Sequence, residues 1–309
     1  MSLVSDSSSK NTFSIALCPC LTTVLLIFSQ FVTALGINAT VTDDFVSAYL
    51  LSGVMMSFGS GYLWLCLKFN NVNLLSVLIS LLIKTHQLSE FSFIRKQVGA
   101  RYTLDGFNAL VVALIFVTFS VFVEGLLAIS PTLYQYVYLL NNVIFYFLLG
   151  LALVQINSNI NYLSHNVLIS ISSQCDRLNG TFTVIKFGVS NISKLIYLTL
   201  LLPLFYVNRP MMVSELAFIL VFFIFAICGP IKKTLKLYSV WCADSRRISD
   251  KVDKTRYINR NVDVSIGDNT LVARSEYTLA RTRELIEIKK YVASLSLIIL
   301  IWLLVITFK

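Results

Sequence analysis

Apolar runs separated by polar gaps recur seven times along this chain, near residues 13–36, 45–67, 107–129, 133–155, 192–208, 212–231 and 290–308. A hydrocarbon core about 30 Å thick takes roughly 20 apolar residues per helix. Each run meets that need, the fifth with least to spare. The pattern predicts an all-α integral membrane protein with seven transmembrane helices. The gaps at 37–44, 130–132 and 209–211 are short, whereas 68–106, 156–191 and 232–290 are long. Leu74, Leu75, Leu78, Leu81 and Leu82 form a helical stripe inside the first long gap. That stripe predicts an interfacial helix near 72–85, too short to span, lying at the membrane surface or against the bundle. Residues 1–12 are Ser-rich and polar, as in a disordered terminal tail.

An odd number of spans puts the two termini on opposite faces, and charge decides which face is which. Lys10, Lys68, Lys84, Arg95, Lys96, Arg101, Arg177 and Lys186 all fall on one side, with Lys194 nearby. The same side receives fourteen Lys and Arg between residues 232 and 290. The other side has only Arg209 and Lys309, and Asp43 and Asp44 make its first loop acidic. Positive residues mark the cytoplasmic face, so the N-terminus is expected inside and the C-terminus outside. The chain then divides into a cytoplasmic tail (1–12), a six-helix region (13–231), a cytoplasmic anchor segment (232–289) and a last span with the external C-terminus (290–309). Within the anchor, the helix of span six is expected to run on through Ile231, Leu235, Leu237, Tyr238 and Trp241 to about Val252. A looser stretch at 257–270, with turn signals at Asn259-Arg260-Asn261 and Gly267-Asp268-Asn269, precedes a second charged helix near 271–289.

Composition narrows the class further. Hydrophobic residues make up 56% and charged residues 13%, with a net charge of +9. Charge confined to loops argues against a soluble core. Its one-sided placement suits cytoplasmic flanks beside anionic lipid rather than nucleic acid, so no nucleic-acid partner is expected. The partner the composition requires is the lipid bilayer, and the location expected is the plasma membrane, crossed several times. None of the six cysteines falls in a predicted outer loop, so no disulfide is expected. His86 and His165 are far apart, and no HExxH, GxSxG or P-loop occurs. Enzyme chemistry, a bound metal and a cofactor are therefore not expected. Asn38 lies in an Asn-Ala-Thr sequon on the predicted outer side.

Polar residues inside the spans are the candidates for function. Glu124 is the one acidic residue deep within a run, with Phe116 and Ser120 on its helical face. Ionisable groups at that depth face a bundle interior or a water-filled cavity. Glu124 is read either as the anchor of an outward-facing ligand pocket or as an ion-paired or protonated interfacial residue. Span four carries a comparable stripe in Tyr134, Tyr138, Asn141 and Phe145, with Asn142 and Tyr146 beside it. Aromatic side chains with a few polar groups line small-molecule pockets. The same residues also make aromatic belts and interhelical amide bonds. Tyr206 lies near the same outer level. Pro203 and Gly229-Pro230 interrupt spans five and six, as static bends or as hinges.

A G-protein-coupled receptor needs the opposite orientation, and here no DRY-like sequence follows span three and no NPxxY ends span seven. Seven spans, an internal N-terminus and a helical cytoplasmic segment before the last span resemble the insect gustatory and odorant receptor superfamily. In local sequence the best stretch is Ile231 to Arg256. The gustatory branch closes its last span with a TYhhhhhQF signature. The matching window, Leu300 to Phe308, keeps the apolar run and the final Phe. It has Leu300-Ile301 at the Thr-Tyr positions and Thr307 at the Gln position. The resemblance implies a ligand-gated cation channel, a tetramer of identical or related subunits, with span seven lining the pore. Each subunit would take a small-molecule ligand in its outer half. Ser296, Leu300, Leu303 and Thr307 share one helical face, the stripe such a pore would use, or else a packing face. A receptor-like protein that keeps the fold without conducting is the alternative.

The orientation is directly testable. Tags at the N-terminus should be read only in permeabilised cells, and tags at the C-terminus in intact ones. Asn38→Gln should remove a glycosidase-sensitive mobility shift; N-terminal staining of intact cells would reverse the topology.

Overall fold

A computed structural model of the chain describes residues 3–36, 43–85, 88–124, 132–168, 171, 174–199 and 229–247, and these are helical throughout apart from short caps and turns. The helices are α1 (Leu3–Leu35), α2 (Asp43–Thr85), α3 (Phe91–Glu124), α4 (Leu133–Tyr162) and α5 (Gln174–Thr199), followed by α6 at 229–247. A 3-10 turn at Leu88–Glu90 leads into α3, and a π-helical turn at Leu163–Val167 closes α4. Among the described residues four apolar segments are long enough to cross a membrane: Ala16–Leu35, Tyr49–Ile83, Phe91–Phe119 and Leu133–His165. The fold is that of an all-α membrane protein. Most of the predicted spans five and six, all of span seven and the charged segment beyond residue 247 lie outside the described residues.

Three sequence expectations change. Residues 3–12 continue α1 rather than forming an unstructured tail. Once an apolar helix is nucleated, each added residue gains a hydrogen bond without a new nucleus. The stripe at 72–85 is no separate interfacial helix either, because α2 runs unbroken for 43 residues. No Pro stops it, and Leu74, Leu78, Leu81 and Leu82 are buried. The described part of the long gap 156–191 is likewise helical apart from residues 168 and 171, as the end of α4, the π turn and most of α5. At 1.5 Å per residue α2 is about 64 Å long, roughly twice the hydrocarbon thickness. Helices therefore project well past the membrane at one end.

Side-chain pairs fix the direction of each helix. Thr23 meets Gly61 and Gln30 meets Gly53, so α1 and α2 run in opposite directions. Tyr162 bonds Gln97, and Tyr146 stacks on Phe116, so α3 and α4 are also antiparallel. Tyr138 reaches Ser52, and the later residues Ala152 and Ile156 lie beside Leu67 and Asn70, making α2 and α4 parallel. Tyr62 bonds the Lys194 carbonyl while Leu81 meets Gly180, so α5 opposes α2. Up-and-down alternation follows, and the α2–α3 and α4–α5 connections share an end. The basic residues Arg95, Lys96, Arg101, Arg177 and Lys186 belong to that end.

Small residues set the helix spacing. Between apolar helices in lipid there is no hydrophobic drive, and close approach supplies the packing instead. A β-carbon on Gly150 would stand 3.5 Å from the Ala109 Cα and carbonyl oxygen, so α3 and α4 nearly touch there. Ala113, Phe116 and Val117 complete the buried face of α3, while Phe107, Leu114, Ile115 and Phe122 are exposed. On a soluble protein that exposed patch would be a liability, whereas here it is the lipid face. α4 starts at a capping box: the Gln135 N–H donates to Thr132 Oγ1 and the Thr132 N–H to Gln135 Oε1.

The chain divides into two compact units, Met1–Leu237 and Tyr238–Lys309. Within the first, Gly188 admits Thr234 of α6, and the Lys233 ammonium donates to Asn157 Oδ1 of α4. Partial burial pushes Lys233 below the usual lysine range. Within the described part of the second, Tyr238 stacks on Trp241 at 6.0 Å, and Arg247 pairs loosely with Asp244 at 4.0 Å.

The Gly150 contact makes a size-graded test. Gly150→Ala keeps an ordinary van der Waals distance and should leave stability nearly unchanged. Gly150→Leu should destabilise the detergent-solubilised protein by about 1–3 kcal/mol in a denaturant titration; equal effects would remove Ala109–Gly150 as the crossing point.

Candidate functional site

Buried polar groups gather around Gly53. Its carbonyl accepts a hydrogen bond from Asn141 Nδ2 at 2.7 Å, and the same amide nitrogen donates to Ser57 Oγ at 3.0 Å. Gln30 fills the space a side chain at Gly53 would occupy, and its Nε2 reaches the Val137 carbonyl at 3.5 Å. One turn away, Ser52 Oγ and Tyr138 Oη share a hydrogen bond at 3.3 Å, and Tyr49 packs edge-on against Tyr138. The node joins α1, α2 and α4. Gln30 Oε1 and Asn141 Oδ1 are buried there without a partner. A buried acceptor left unpaired costs about 1–3 kcal/mol. Both are acceptors, so what the node lacks is a donor.

Tyr134, Tyr138, Asn141 and Phe145 do share one face of α4, as their spacing requires. Each is at most 1% exposed, so the stripe is packed against its neighbours rather than open to a ligand. Asn141 and Tyr138 act as interhelical ties to α2. Phe116 sits on a different contact, stacked at 4.9 Å on Tyr146, which in turn meets Phe145 edge-on at 5.5 Å. An aromatic chain thus links Phe116 to the stripe. The side chains of Ser120 and Glu124 fall outside the described residues, as do Asn38, Tyr206, Ser296, Leu300, Leu303 and Thr307.

A second polar level lies between α2, α4 and α5. Tyr62, Cys66 and Asn70 follow each other at i,i+4 on α2, facing Asn191, Lys194 and Leu195 of α5. Tyr62 Oη donates to the Lys194 carbonyl at 2.9 Å, and Lys194 Nζ donates to Asn191 Oδ1 at 3.3 Å. Cys66, Leu67, Asn70, Ala152, Ile156, Asn191, Lys194 and Leu195 line a half-open cavity of about 10 Å³. Asn70 is 3% exposed and Asn191 1%, yet both amide atoms of Asn70 and the Asn191 nitrogen lack a partner. Sequence reasoning counted Lys194 only as a flanking charge and did not use the asparagines. Their signal was present in the i,i+4 run of polar groups on α2 opposite the Asn191/Lys194 pair.

Nearer the basic end, α3 and α4 share a third polar contact. The Arg101 guanidinium lies over the Tyr162 ring at 4.8 Å, and Tyr162 Oη donates to Gln97 Oε1 at 3.1 Å. Asp105, 6% exposed, is set between Ser158 and Arg101. Among the described residues no group of His, Cys, Asp or Glu could hold a metal ion, and Cys18, Cys20, Cys66 and Cys242 are free thiols.

Searches against protein families, curated proteins and solved structures returned no match for this chain.

The Asn141 tie gives a measurable prediction. Asn141→Leu should lower stability by about 0.6–1.7 kcal/mol, the range of interhelical hydrogen bonds in membranes. Tyr136→Leu, at a half-exposed position on the same helix, should not. Equal unfolding midpoints for Asn141→Leu and wild type would mean that the node does not hold α4 to α2.

Proposed function

We propose that this chain is a chemosensory-type receptor of the plasma membrane. In this reading it is a ligand-gated cation channel of four identical or related subunits. Its last apolar run, with Ser296, Leu300, Leu303 and Thr307 on one face, lines the pore. The observation that carries the reading is the node in the outer half of the bundle. Two buried acceptor oxygens between membrane-crossing helices need a donor, and polar groups so placed are expected where a transmembrane bundle receives a ligand or an ion. The ligand class that suits them is a small molecule with N–H or O–H groups and enough apolar surface for Tyr138 and Phe145. Ligand binding on this reading loosens or remakes the α2–α4 tie, which is how a packed stripe becomes a gate.

A second reading, a receptor that keeps the fold without conducting, is favoured by the window 300–308. It has Leu300-Ile301 and Thr307 where the gustatory signature has Thr-Tyr and Gln.

Whole-cell recording decides between them. Cells with the tagged chain at their surface should show cation currents on perfusion of small amines and alcohols. Leu303→Ser should change their size or selectivity, and crosslinking should trap four subunits. Surface protein that crosslinks as a monomer and gives no current would leave the channel reading without support.

A further inference from the structure

The buried lysine of α5 is the feature that the receptor reading does not use. Lys194 is half-buried, and its amine points at the wall formed by Asn70 and Asn191. Among the described residues no carboxylate pairs with it; its one polar side-chain partner is Asn191 Oδ1. Lys194 faces the apolar segment Tyr49–Ile83 of α2, where an uncompensated buried ammonium is costly. In the same wall, the Asn191 amide nitrogen and both amide atoms of Asn70 are buried and unpaired, and the Cys66 thiol adds a weak donor. These residues and Lys194 line a half-open cavity of about 10 Å³, room for about one water-sized particle.

We infer that Lys194, Asn191 and Asn70 form a binding site for a monatomic anion, chloride in a living cell, set between α2, α4 and α5 at the basic end of the bundle. A water molecule could answer the amide nitrogens, but it leaves the ammonium charge uncompensated. A phosphate or carboxylate would compensate the charge, but the cavity is too small for either. A halide meets both conditions. It accepts from the Lys194 ammonium and from both amide nitrogens at once, and charge-assisted bonds of this kind are roughly twice as strong as neutral ones. The anion bridges α2 to α5 at the level where α2 leaves the membrane. The assignment is independent of whether the chain conducts.

The test uses the full chain purified in detergent, with its unfolding midpoint followed by tryptophan fluorescence. Chloride is titrated against gluconate, a bulky organic anion, at fixed ionic strength, and bromide is then substituted for chloride. A ligand that binds only the folded state raises the midpoint in a saturable manner. Both halides should do so, and Lys194→Gln and Asn70→Leu should each weaken the response at least about tenfold in halide concentration. Lys233→Gln, which removes a cation outside the cavity, should respond as wild type does. Equal wild-type midpoints in chloride and gluconate overturn the site, and the cavity is then a water site. A halide response of wild-type size in Asn70→Leu or Lys194→Gln also overturns it, because the halide then acts elsewhere. If either variant fails to fold, the wild-type titration alone still decides.

Discussion

The bundle rests on what happens at one residue without a side chain. Gly53 leaves its carbonyl open to Asn141 of α4 and its Cβ position open to Gln30 of α1. In lipid the apolar faces of these helices gain little by leaving hydrocarbon for one another. Association depends instead on close approach and on hydrogen bonds that lipid cannot supply. The same logic repeats at Gly61 against Thr23 and at Gly150 against Ala109. At Gly53 and Gly61 even a β-carbon would displace Gln30 or Thr23, whereas Gly150 has room for a methyl group and no more. Gly53 differs from the others in joining three helices.

Alternation of direction turns these contacts into an organised bundle. Since α1 opposes α2, α3 opposes α4 and α2 runs with α4, the α2–α3 and α4–α5 connections fall at the same end. Toward that end polar side-chain contacts join the small-residue contacts made by Gly180 and Gly188. Tyr162 to Gln97 and Lys233 to Asn157 are such pairs, and Tyr62 to the Lys194 carbonyl stands between the two regions. Polar ties suit the end of a bundle that leaves lipid, because water and headgroups begin to compete for its polar groups.

Hydropathy made the four membrane-crossing helices of the described region legible, because lipid demands long apolar runs and nothing else in the chain supplies them. It could not see where a helix ends once it has left the membrane. The apolar run ends at residue 67 and a separate helix was expected near 72–85, yet one exposed lysine does not interrupt an α-helix, and α2 continues to Thr85. The stripe on α4 was legible at spacings of three and four residues. What it packs against was not, since sequence gives a face and not its neighbour. Tyr138 and Asn141 proved to be ties to Ser52 and Gly53. Asn70 and Asn191 were opaque for a different reason: an asparagine in a polar gap looks solvated until the gap is known to be helical and buried.

The two buried polar levels differ in what they lack, and that difference bears on how the bundle could respond. Around Gly53 the unpaired atoms of Gln30 and Asn141 are oxygens. Between α2 and α5 the Asn191 nitrogen and both amide atoms of Asn70 are unpaired, close to Lys194. The first level is short of a donor, and the second holds unpaired groups of both kinds beside a lysine. Both levels are walled by α2 and α4, and those two helices run in parallel. Helices held by a few discrete hydrogen bonds have discrete registers rather than a continuum, so a shift of α4 along α2 would be felt at both levels.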